Sequence, residues 1–312
     1  MLNKQVQSSA ASFDIGTTRK TEVDGMKQVV VISGKGGTGK TTLTASLAAL
    51  AKPSVLADCD VDAPDLHLIL KPQVRQRGDY QGGEVAVIDQ DLCTDCGLCR
   101  EVCRFDAISE DYVVDPFACE GCGLCPRVCP VDAIEMVQER AGEWFISDTV
   151  YGPMVHAKLD VAQENSGKLV TVVRNFAKKV AQEKGLDCVV IDGPPGVGCP
   201  VISSITGVDL AIIVSEPTVS GIHDLERAVQ ISAQFRVPVW VVVNKYDLNL
   251  EMTGEIERYC AQNNLPLAAK LPFDEKVIDA LVNEKPVVEF TDGPVSQEIR
   301  RLWSGLESFC RS

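Results

Sequence analysis

The sequence predicts an α/β fold: a doubly wound, mostly parallel sheet interrupted by a small α+β insertion. Three observations predict it. Uninterrupted apolar, β-branched runs such as "KQVVVISG", "DCVVIDG", "DLAIIVS" and "VPVWVVVN" alternate with helix-length segments, as strands buried on both faces do. Those runs lead into loops of Gly, Pro, Asp or Asn, and such sheets bind ligands at the carboxyl ends of their strands. In the first third of the chain the alternation breaks off, and the interrupting segment holds eight of the 13 cysteines.

In chain order, residues 1–25 are polar and lack helical or strand periodicity, and are expected to be a disordered extension. "KQVVVISG" (Lys27–Gly34) reads as a strand, "KTTLTASLAALA" (Lys40–Ala51) as a helix and "SVLADCD" (Ser54–Asp60) as a second strand. From Lys71 to about Gly83 the composition turns to Pro, Gln, Arg and Gly, which marks a linker. The sheet domain is therefore expected in two parts, 26–81 and 139–312, around a cysteine module at 82–138. After the module, Ser166 can cap the helix "GKLVTVVRNFAKKVAQEK". The strand of "DCVVIDGPPG" follows, then those of "DLAIIVSEPT" and "VPVWVVVNKYD" with the helix "IHDLERAVQISAQF" between them. The helical "EIERYCAQNN" and the short "LAAKLPFD" complete the alternation. Near the end, "VSQEIRRLWSGLESFC" carries an apolar stripe of Val295, Ile299, Leu302, Trp303, Leu306 and Phe309. Its polar face mixes Arg with Glu, which favours docking on the core over attachment to a membrane.

Composition narrows the function. At 312 residues and 45% hydrophobic, the chain can fill one large domain and a small module. It shows no apolar run of the roughly 18–20 residues a membrane span needs and no signal peptide. Thirteen cysteines without secretion signals argue against a disulfide framework and for a reducing cytoplasm. Net charge is −14, and between Gly82 and Gln138 twelve acidic residues face only Arg100, Arg104 and Arg127, a local net of −9. Such a surface repels nucleic-acid backbones and anionic lipids and suits a basic patch on a protein partner.

The phosphate site is explicit. "GKGGTGKT" (Gly34–Thr41) satisfies G-x4-G-K-[ST] after a strand and before a helix. Backbone N–H groups of Gly34, Lys35, Gly36, Gly37, Thr38, Gly39 and the helix start at Thr41 and Thr42 can turn toward phosphate oxygens, aided by the helix dipole. Lys40 neutralises the β and γ phosphates, and Thr41 ligates magnesium. "NKYD" (Asn244–Asp247) fits the N-K-x-D pattern of guanine-specific P-loop proteins, in which Asp247 would read the base edge.

The cysteines repeat. Cys93, Cys96, Cys99 and Cys103 follow C-x2-C-x2-C-x3-C, and Cys119, Cys122, Cys125 and Cys129 repeat it. "CGLCREVCRFDAI" aligns with "CGLCPRVCPVDAI", so the module is an internal duplication. Zinc explains neither the third cysteine of each run nor the doubling. The pattern resembles the bacterial two-cluster 4Fe-4S ferredoxin. That resemblance implies that the fourth cysteine of each run crosses over: cluster one takes Cys93, Cys96, Cys99 and Cys129, and cluster two takes Cys103, Cys119, Cys122 and Cys125. Pro130 follows Cys129 as the ferredoxin pattern expects, but Arg104 follows Cys103. A positive charge there is expected to raise the potential of cluster two.

Lys35, directly after the first glycine of the phosphate loop, together with "ENSGKLV", "DGPPGVGCPVI", "SEPT" and "VVVNKYDLN", resembles the deviant Walker A ATPases: the MinD, ParA and Mrp group and the nitrogenase iron protein. Within that group the chain is similar to the ATPases that carry an inserted ferredoxin domain. The resemblance implies ATP as nucleotide, with Asn244 contacting adenine in place of the guanine reading by Asp247, a homodimer on ATP binding (or a heterodimer with a paralogue), and a Lys35 that reaches the partner's nucleotide. It implies Asp192 as the aspartate that holds magnesium through water, Asp58 near the magnesium, and Asp60 as the residue that positions the attacking water. Cys199, seven residues past Asp192, stands where the iron protein carries a cluster ligand. Two readings remain for it: a ligand of a third, bridging cluster, or a semi-buried thiol packing the switch. His67, His156 and His223 show no metal-ligand spacing and read as structural.

The function expected is an ATP-gated redox protein that delivers electrons to a protein partner. The alternatives are a MinD-like positioning or scaffolding ATPase with structural or redox-sensing clusters, and an iron–sulfur cluster assembly or carrier ATPase.

Overall fold

A computed structural model describes residues 25–160 and 166–310; all but the last residue of the expected N-terminal extension lies outside them. One nine-stranded sheet organises the chain, in the order β3-β4-β5-β2-β6-β1-β7-β8-β9. β1 (Lys27–Ser33) leads through the phosphate loop into α1 (Lys40–Leu50). β2 (Val55–Asp58) is followed by α2 (Leu66–Leu70) and β3 (Gln73–Ile88). The cysteine module contributes α3 (Leu98–Val102) and α4 (Leu124–Val128). The chain returns to the sheet through β4 (Ile134–Thr149) and β5 (Gly152–Leu159). Then come α5 (Ser166–Lys184), β6 (Cys188–Pro195), α6 (Cys199–Ile205), β7 (Leu210–Ser215), α7 (Val219–Gln234), β8 (Val239–Asn244) and α8 (Leu250–Gln262). β9 (Leu267–Leu271), α9 (Lys276–Val282), α10 (Val287–Phe290) and α11 (Pro294–Cys310) end the fold.

From β5 to β9 every neighbouring pair is parallel; β3 and β4 are antiparallel additions at one edge. Side chains alternate across a strand, and the core divides accordingly. Val30 and Ile32 join a layer with Leu169, Val173 and Ile205 from α5 and α6. Val29 and Val31 join the opposite layer with Leu43 and Leu47 of α1 and Leu302 and Leu306 of α11. The stripe of α11 is thus spent on the core: Val295, Ile299, Leu302 and Leu306 are buried, and Trp303 and Phe309 pack beside them. Among the described residues no helix is long and apolar enough to cross a membrane.

The stretch expected as a linker, Lys71 to Gly83, is mostly strand. Only Lys71 and Pro72 separate α2 from β3, which pairs with β4 from Gln73↔Asp148 to Ile88↔Ile134. Polar residues dominate because much of β3 is exposed on both faces, as the outer strand of a ribbon is. The boundaries expected at 82 and 138 fall inside β3 and β4, so the module is the far end of two strands of the sheet. It has its own small core of Ala86, Ile88, Ile108 and Ile134 around the buried Cys99.

Candidate functional site

Strand order brings the predicted nucleotide residues together. β6 lies between β2 and β1, and Asp58 on β2 stands in register with Asp192 on β6. The phosphate loop rises from β1 at their side. Gly37 and Gly39 take positive φ of 79° and 88°, and Gly39 stands directly before α1. A Cβ on Gly39 would come 2.4 Å from the Asn244 side-chain amide, which donates to the Thr38 carbonyl at 2.8 Å. Only glycine fits there.

The Lys40 ammonium lies 3.1 Å from Asp192 and 3.6 Å from Asp60, with its side chain only 6% exposed. Burial works to lower its pKa, but the carboxylates of Asp192, Asp60 and Asp58 outweigh it and hold the group above its usual value. Asp192 is fully buried and accepts hydrogen bonds from Thr41 Oγ1 at 2.7 Å and Thr44 Oγ1 at 2.9 Å. Asp58, also fully buried, accepts from the backbone N–H groups of Asp60 and Leu66. Burial, with the nearby Asp192 charge adding to it, pushes the Asp58 carboxyl well above the usual range. Asp60 is raised too, by burial first, against the opposing Lys40 charge. The site is a lysine among three carboxylates, and Thr41 with Asp192 supplies the hard oxygen donors that magnesium prefers.

Lys35 is directed elsewhere. Its ammonium pairs with Glu216 at 3.5 Å and with Ser220 Oγ at 3.4 Å, and Lys245 holds the other Glu216 oxygen at 2.7 Å. An apolar cavity opens beside the loop, lined by Gly39, Asn244, Leu271, Phe273 and Ile278 among others. Asp247 is not in that lining; its Oδ1 accepts the Phe273 N–H at 2.7 Å and so braces the cavity wall. Sequence reasoning missed Thr44, Ser220, Glu216 and Lys245 as members of the site. Thr44 follows Thr41 by one helical turn, a spacing that could have flagged it; the Glu216 pairs join residues far apart in sequence and leave no local signal.

The cysteines sort into two cavities. One is lined by Cys93, Cys96, Cys99 and Cys129, the other by Cys103, Cys119, Cys122 and Cys125. Each therefore draws its fourth cysteine from the other run. α3 and α4 both start after glycines of positive φ, Gly97 and Gly123, which keeps the two halves alike. Cys129 Sγ accepts the Ala133 N–H at 3.3 Å. Burial pushes the Cys99 thiol up and the Cys125 thiol up to about 11, so without a metal these groups hold their protons at neutral pH. Among the described residues, no three His, Cys, Asp or Glu side chains close around a single ion position. Arg104 is exposed, so solvent screens its charge.

Cys199 opens α6 and is exposed, not semi-buried as the packing reading expected. His156 is enclosed between His67 and Phe145, its Nε2 3.1 Å from Ser147 Oγ.

Comparison with known proteins agrees with this geometry. An uncharacterized protein of Methanocaldococcus jannaschii is 36% identical over 288 residues, spanning 90% of this chain and 97% of its own length. The septum site-determining protein MinD of Bacillus subtilis is 24% identical over 83% of this chain and 81% of its own. An iron–sulfur cluster carrier protein of Pyrococcus horikoshii is 28% identical over 38% of this chain and 44% of its own. Among solved structures, MinD from Pyrococcus horikoshii with Mg-ADP superposes with a TM-score of 0.57 at 18% identity, covering 91% of this chain and 97% of that one. Residues 29–287 match the CobQ/CobB/MinD/ParA nucleotide binding domain, and the chain belongs to that family of P-loop ATPases.

Proposed function

We propose that this ATPase holds two 4Fe-4S clusters in a ferredoxin-like module and uses its nucleotide state, as an ATP-bound dimer, to govern electron delivery to a basic protein partner. The sorting of eight thiols into two four-cysteine cavities with crossed membership carries this reading. A zinc ion draws four sulfurs to about 2.3 Å of one point, whereas a cubane spreads four thiolates over its corners. When bound, such clusters take up and release single electrons.

In this reading the phosphate loop and Lys40 bind the triphosphate, Thr41 and Asp192 hold magnesium, and Asp60 positions the attacking water. Lys35 leaves Glu216 for the partner subunit's nucleotide. The apolar cavity beside Gly39 takes the base, and the commitment of Asp247 to Phe273 favours adenine over guanine. Asp58 couples the two halves: its carboxylate holds the first N–H of α2, and α2 runs almost directly into β3 and the module.

Anaerobically purified protein should contain about eight irons per chain in two 4Fe-4S clusters, and the paramagnetic spectrum of the reduced clusters should differ between ADP and a non-hydrolysable ATP analogue. Zinc in place of iron, or spectra indifferent to nucleotide, would overturn the reading. The carrier protein of Pyrococcus horikoshii favours a second reading, cluster transfer. Iron leaving the chain for an apo-ferredoxin would support that one, and full retention would support resident clusters.

A further inference from the structure

Two cysteines outside the module lie against each other. Cys188 begins β6 and Cys310 ends α11; they are 122 residues apart in sequence, and their Sγ atoms are 3.3 Å apart. Each is 8% exposed, at the floor of a surface cavity that Lys52, Asp187, Trp303 and Glu307 also line. A buried free cysteine ordinarily serves as a small apolar filler. Here two sulfurs are in contact, one sits on the last turn of a terminal helix, and a cavity leads to both.

We propose that Cys188 and Cys310 form a redox-active dithiol site, oxidised by low-molecular-weight disulfides, whose bond latches α11 to the strand that carries Asp192. Cys310 attacks first. Either sulfur can donate to the other; with Cys188 as the donor, that hydrogen bond holds the Cys310 thiol below its usual value, with the Lys27 ammonium assisting, and the thiolate is the attacking form. It forms a mixed disulfide with one half of the oxidant and expels the other half as a thiolate. Cys188, held protonated by that same hydrogen bond, then gives its proton to the released thiolate and attacks the Cys310 sulfur. The second half leaves as a thiolate and takes up the proton that Cys310 gave to solvent. In sum, two protein thiols become one disulfide and one small disulfide becomes two thiols. Intracellular disulfides of this kind are characteristically transient and redox-sensing.

The test treats the full-length protein anaerobically with oxidised glutathione, denatures it in an alkylating reagent and maps the peptides. A linked Cys188–Cys310 peptide that dithiothreitol releases is expected. Cys188→Ser should instead trap glutathione on Cys310, and Cys310→Ser should give no linkage. Amide exchange over residues 294–310 should slow several-fold in the oxidised protein. The proposal fails if both thiols remain fully alkylatable, if Cys188 links to a different cysteine, or if the bond forms without slowing exchange in α11. None of these outcomes depends on the clusters or the nucleotide.

Discussion

Asp60 and His156 show how burial sets the chemistry of single residues. Asp60 lies 3.6 Å from Lys40 at the rim of the carboxylate cluster, whereas Asp192 and Asp58 are buried within it. Replacing Asp60 by Ala should abolish ATP turnover and leave nucleotide affinity within a few-fold, measured by steady-state hydrolysis and by titration with a fluorescent ATP analogue. Unchanged turnover would reject its role. His156 is held down to about 4, by burial first and then by the neighbouring His67. The unfolded chain protonates this imidazole near 6.5, so between those values the unfolded state binds the extra proton. Its contribution is therefore complete above about pH 6.5 and is lost as pH falls toward 4, up to about 3 kcal/mol. Chemical denaturation from pH 7 to 4.5 should show a flatter decline in His156→Asn than in the parent.

Among the elements, the parallel strands were legible and the ribbon was not. Val29–Ile32, Val189–Ile191 and Ile212–Val214 are buried on both faces, so they read as plain apolar runs. β3 alternates solvent with solvent over much of its length, and its pairing with β4 depends on residues beyond the module, which no local pattern encodes. The phosphate loop and the cysteine runs were legible because their geometry demands fixed spacings of glycine and cysteine. The engagement of Lys35 by Glu216 and of Asp247 by Phe273 N–H was not, because both rest on contacts between different strand ends. Gly121 shows how tightly the module is fitted to the ribbon: φ is +62°, and a Cβ would come 2.4 Å from the Glu84 carbonyl. Gly121→Ala should lower the iron content of purified protein while ATP binding is kept, since the phosphate loop lies on another element. Leu302→Ala, at a 2% exposed position on α11, should cost about 2–5 kcal/mol of stability, read from denaturant midpoints.

For the whole molecule, the negative charge is concentrated in one segment. The module segment carries −9 of the net −14, so its attraction for a basic acceptor should weaken with salt. Reduction of cytochrome c by the dithionite-reduced protein should slow several-fold between about 20 and 200 mM salt, as the Debye length shrinks. A salt-independent rate would move the docking surface away from the module.

The pairing of Ile88 with Ile134 has an architectural consequence. The polypeptide leaves for its cysteine-rich excursion and comes back at facing positions, one strand spacing apart, where a tight Asn-Gly corner would fit equally well. Everything from Asp89 to Ala133 is thus one excursion between two paired strand ends, and all nine strands of the sheet lie outside it.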